Sequence, residues 1–160
     1  MNDPLGTYLH DHLAGATFAV EMLEALQAGH PNEKIGAVAR VLLPEIQADR
    51  AVLQTLVDRV AGNSSSLKEA VSWLTEKASR LKLRRSSSSA LGSFETIEAL
   101  ALGILGKEHL WRALAVAAAN DSRIKGHDYS HLVQRAQAQH AVVDELRIAL
   151  VGTSLIEPQP

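Results

Sequence analysis

Glu45-Ile46-Gln47-Ala48-Asp49-Arg50-Ala51-Val52-Leu53-Gln54-Thr55-Leu56 is the stretch from which the architecture follows. Apolar side chains return at Ile46, Leu53 and Leu56, and the same steps reach back to Ile35 and Leu42 and forward to Val60. That spacing marks one face of a long helix, not the alternation of a strand. Asp49 falls near the centre of the face. A carboxylate buried there is costly unless it is paired or ligated. The stretch therefore predicts a packed helix with a polar point inside the core.

Working outward, the helix ends at Gly62, and Pro44 within it removes the donor for the carbonyl of Arg40 and should kink it. Upstream, Asn32 can cap it, after Gly29, His30 and Pro31 have stopped an earlier helix running from about Gly6 to Ala28. That first helix carries Leu9, Leu13, Ala16, Val20 and Leu23 on its inner face. Downstream, Ser66 and Glu69 make a capping box for a shorter helix, roughly 67–83, which contains Trp73. Arg84, Arg85 and the serines from Ser86 to Ser89 then read as loop. The cluster Arg80, Lys82, Arg84 and Arg85 reads as solvated crossover rather than as an anion site. A third long helix begins near Ala90 to Phe94 and reaches Ala119, using Phe94, Ile97, Ala101, Ile104, Leu105, Trp111 and Ala115. Asp128 caps the last, which uses Leu132, Ala136, Val143, Leu146 and Leu150 and should stop at Gly152.

Two of the connections are short, so the helices form two antiparallel pairs. The connection from Gly62 to Ser89 is long enough to return along the bundle and to set the second and third long helices parallel. The expected fold is all-α: one domain over residues 1–160, a four-helix bundle with a long crossover that contains a short fifth helix.

Composition agrees with an ordinary globular chain, with 46% hydrophobic and 21% charged residues among 160. A net charge of −2 gives no case for nucleic acid or an anionic membrane. The absence of cysteine removes disulfides, thiolate metal sites and thiol catalysis, and fits a cytoplasmic setting. No apolar run is long enough to span a bilayer, and the N-terminus has the pattern of no signal peptide. Aromatics are only 4%, so the core must be aliphatic.

Each long helix places one polar residue on or beside its apolar face: His12, Asp49, Glu108 and Gln139. His12 lies eighteen residues before a turn centred on His30 and so faces position 48, beside Asp49. Glu108 lies fifteen before a turn centred on Arg123 and faces position 138, beside Gln139. With a full crossover all four share one level. Two main readings follow, beside the remaining alternative of a small-molecule pocket. One is a buried hydrogen-bond and ion-pair layer closed by Arg112, Arg50 or Arg135, fixing register as a buried Asn does in coiled coils. The other is a metal site with His12, Asp49 and Glu108 as ligands, whose mixed N/O donors would suit Fe, Mn or Zn and an oxidative reaction. A di-iron centre is not expected, because the chain contains no Glu-x-x-His. Gly103, Gly106 and Lys107 sit on a helix and form no phosphate loop; close helix packing accounts for them. Phe18 and Met22, at i and i+4 on the side away from the core, predict a homodimer through the first helix.

Four segments resemble the ferritin-like superfamily: Tyr8-Leu-His-Asp-His-Leu-Ala-Gly-Ala16, Glu45-Ile-Gln-Ala-Asp-Arg50, Glu76-Lys-Ala-Ser-Arg-Leu-Lys-Leu83 and Leu100-Ala-Leu-Gly-Ile-Leu-Gly-Lys-Glu-His-Leu-Trp111. Within it the chain is similar to a small bacterial group that lacks the di-iron site. The resemblance implies a four-helix bundle with a crossover helix and no assigned reaction. None of the segments is a catalytic signature, so it bears on fold rather than activity. A non-enzymatic binding or structural protein is the function expected.

Overall fold

A computed structural model describes residues 3–62 and 89–156. Helix α1 spans Pro4–Gly29, and the Asp3 carboxylate caps it by accepting from the Leu5 N–H at 3.1 Å. It closes where the His30 N–H donates to the carbonyl of Leu26. Helix α2, Lys34–Ala61, follows a turn so tight that a Cβ on Gly36 would stand 1.9 Å from the His30 carbonyl oxygen. Its N-cap is Glu33, without a side-chain bond, so Asn32 does not take the expected role. Pro44 lies within α2, which continues through it.

Helix α3 is Ala90–Ala117, capped by Ser89 Oγ accepting from the Gly92 N–H at 3.0 Å. A single 3-10 turn, Ser122–Ile124, joins it to α4, Tyr129–Leu155. Ile124 is fully buried, and the Tyr129 hydroxyl donates to its carbonyl at 2.5 Å. Asp128 caps α4 as expected, accepting from the His131 N–H at 3.0 Å. The helix does not stop at Gly152 but runs on to Leu155. The Ser66–Glu69 capping box, the short helix with Trp73 and the basic segment before Ser89 lie outside the described residues. Helices are the only regular structure among those described, and none of them is long and apolar enough to cross a membrane.

The ends fix the directions. A Cβ on Gly6 would lie 3.7 Å from Val60, so α1 begins where α2 finishes. Arg123 in the second turn reaches Asp3 at 2.5 Å, and Arg59 donates to the Lys125 carbonyl at 3.3 Å. At the other end His30 meets Ser93 at 2.9 Å, and Lys34 meets Glu145 at 3.6 Å. Helices α2 and α3 therefore run the same way, and Gly62 and Ser89 stand at opposite ends. Each hairpin packs more extensively within itself than against the other, with α1 beside α3 and α2 beside α4.

The core is aliphatic, as the composition requires, with Leu9, Leu23, Leu56, Ile97 and Ile104 almost wholly enclosed and the aromatic rings of Trp111, Phe94 and Tyr129 also buried. On α1 the buried arc is wider than the expected stripe. Met22 is only 6% exposed and belongs to the core, and Phe18 is half-buried against it. This pair therefore does not form the outward face on which the dimer was expected.

Candidate functional site

In α2 the buried positions Ile35, Ala39, Leu42, Ile46, Asp49, Leu53, Leu56 and Val60 alternate steps of four and three. That heptad spacing keeps one seam turned towards the partner helices. Asp49 occupies a seam position and is 2% exposed. In α4 the same spacing runs Leu132, Ala136, Gln139, Val143 and Leu146, which puts Gln139 in the core. In α3 it runs Ile97, Leu100, Ile104, Lys107, Trp111 and Leu114, so the polar member is Lys107.

These three side chains meet. The Lys107 ammonium donates to Asp49 Oδ2 and to Gln139 Oε1. Arg135, one turn before Gln139, donates through Nη2 to Asp49 Oδ1. Gln139 Nε2 donates to Glu45 Oε2 at 2.9 Å and lies 3.4 Å from Asp49 Oδ2. Two cations thus face two carboxylates, and the layer is balanced in charge. Burial pulls the Lys107 ammonium below its ordinary value, while Asp49 beside it pulls the other way.

Glu108 does not join this layer. Adjacent residues on a helix diverge by about 100°, and Glu108 turns to the flank of α3 that faces α4. There its Oε1 accepts from Gln137 at 3.0 Å and from Arg112 at 2.6 Å. The hydrogen bond from Gln137 lowers its pKa most, against the opposing effect of burial, and the Arg112 cation lowers it further. Of the arginines weighed for closing the layer, Arg135 does so and Arg112 serves Glu108.

His12 is half-buried on α1, its ring edge-on to Tyr8 with centroids 4.6 Å apart. Burial lowers its pKa, opposed by Asp11. With Asp49 and Lys107 it lines a cavity of about 70 Å³ between α1, α2 and α3. Of the three residues proposed as metal ligands, His12 and Asp49 therefore share one wall and Glu108 stands apart.

No group of three or more His, Cys, Asp or Glu side chains that could hold a metal ion occurs among the described residues. The oxygens of Asp49 and of Gln139 are taken by Lys107 and Arg135. These residues do not fit a di-iron centre, which needs carboxylates from every helix and two histidines.

Sequence reasoning set Lys107 aside with Gly103 and Gly106. Its position midway between Ile104 and Trp111 on the seam, one residue from Glu108, was the signal that could have found it. Close packing does not explain the two glycines, since among the described residues nothing lies within 4 Å of a Cβ built on either.

In comparisons with family models, curated proteins and solved structures, nothing matches this chain.

Proposed function

We propose that the chain is a ferritin-like bundle without a di-iron centre, a binding or structural protein in which the Lys107 ammonium takes the place of a metal cation. One observation carries this reading. At the level where such a bundle would hold metal, a lysine is hydrogen-bonded to the buried carboxylate and the buried amide at once. A charged ammonium there repels a divalent ion and occupies its donors. The parallel run of α2 and α3 supports the superfamily assignment, because a single long crossover distinguishes ferritin-like bundles from up-down ones. The absence of cysteine fits a cytoplasmic protein.

The test is metal content by plasma mass spectrometry on untagged protein, purified without chelator and again after incubation with Fe, Mn and Zn. The expected result is far less than one metal per chain under every condition. Near-stoichiometric metal that is lost in His12→Ala and in Glu108→Ala would overturn the reading in favour of a metal-dependent oxidative enzyme. Lys107→Ala, which frees Asp49 Oδ2 and Gln139 Oε1 from the ammonium while Arg135 keeps Asp49 Oδ1, is the variant in which weak metal uptake should first appear.

A further inference from the structure

The ion-pair layer leaves the space beside it unexplained. The cavity of about 70 Å³ has a polar wall at Lys107, Asp49 and His12, with Ile46, Leu53 and Leu110 among its apolar lining. At about 10–15 Å³ for each water-sized group, it takes roughly five to seven such groups. Gly15 on α1 and Gly103 on α3 also line it, and both are exposed, so they lie where the cavity meets the surface. A glycine inside a helix lowers its stability relative to alanine. Neither position needs one for packing, since among the described residues a Cβ there would meet nothing within 4 Å. Together they keep side chains out of the opening.

The wall is short of acceptors. Trp111 forms part of it and is fully buried, yet its indole N–H has no hydrogen-bond partner among the described residues. Buried donors are normally paired. The Lys107 ammonium carries three N–H groups, and Asp49 and Gln139 account for two. A molecule entering here is therefore asked for an oxygen that accepts. The sign of its charge follows from the layer: Lys107 and Arg135 are already balanced by buried Asp49 and half-buried Glu45, so an added carboxylate would be a third anion without a cation of its own.

We propose that this cavity binds a short neutral carbonyl compound, a ketone or amide. Its oxygen accepts from the donors of the polar wall, and its alkyl part lies against Ile46, Leu53 and Leu110. The proposal rests on reading the layer as a closed ion-pair network that holds no metal, and it gives the binding role a ligand class. Affinity in the millimolar range is expected for a molecule of so few atoms.

The test is a titration of the full ¹⁵N-labelled chain with 2-butanone, read at the indole N–H resonance of Trp111, which a Trp73→Phe sample distinguishes from that of Trp73. The expected result is a saturable downfield shift as the indole gains an acceptor. Gly103→Leu should abolish it with the circular dichroism spectrum kept and the melting temperature not lowered; Gly15→Leu serves if that variant does not fold. The charged isostere n-butyrate should need at least about tenfold more ligand for half-saturation. A Trp111 indole that does not respond, a shift undiminished in the glycine variants, or butyrate binding as well as butanone would each overturn the proposal. Metal analysis is a separate readout, so a silent indole in metal-free protein removes the ligand and leaves the ion-pair layer standing.

Discussion

Asp49 accepts from two cations and is enclosed on every side, so the cost of removing it falls on the partners left behind. Asp49→Ala strands Lys107 and Arg135 and should destabilise by about 3–5 kcal/mol in urea unfolding. Lys107→Met should cost less, because Arg135 continues to pair the aspartate. A loss below about 0.5 kcal/mol for Asp49→Ala would place the residue outside any network. Glu108 makes a prediction of a different kind. Its pKa in the folded chain lies below that of the unfolded chain. Its stabilising contribution is therefore complete above the ordinary glutamate value, about 4.3, and is lost as the pH falls from there through the folded value. Glu108→Gln should flatten the acid limb of stability against pH; equal limbs in the two proteins would count against the pairing. Asp49 and Gln139 were legible because each interrupts a seam that is otherwise apolar. Lys107 was not, because its neighbour Glu108 lies close enough to the same seam to look like the polar member. A wheel drawn from sequence does not separate adjacent residues when the buried arc is wide.

The four long helices were legible to within a few residues, and the misses have local causes. Asn32 looks like a cap by residue type, but the chain tightens around Gly36, and helix geometry begins only after Glu33. Gly152 looks like a stop, yet α4 accommodates it and adds another turn. The glycines also divide by environment in a way that type alone does not show. Gly36→Ala would drive a methyl into the His30 carbonyl and should destabilise by about 1–3 kcal/mol. Gly103→Ala meets open space on a helix and should stabilise by about 0.4–1 kcal/mol. Thermal melts of the two variants should move in opposite directions, and parallel shifts would contradict the environments described for them.

The described helices form two hairpins, and the layer is the polar tie between them: Asp49 belongs to the first, Lys107, Arg135 and Gln139 to the second. Replacing Asp49, Lys107 and Gln139 together by leucine should preserve helix content while loosening the choice of register. Binding of a hydrophobic dye and loss of amide dispersion would show it, and a uniquely folded variant would mean that packing alone fixes the register. The four long helices and their pairing were readable because two connections are short and one is long. What the sequence could not supply was which hairpin faces touch, since that depends on the partner surface as much as on the seam. The parallel run of α2 and α3 has an electrical consequence. Each end of the bundle presents two helix N-termini and two C-termini, alternating around the square, so the axial dipoles of the four helices cancel. Neither pole draws ions along the axis. With the central charges also balanced, the arrival of a solute at the cavity should be governed by diffusion and fit, and its rate should be nearly indifferent to ionic strength.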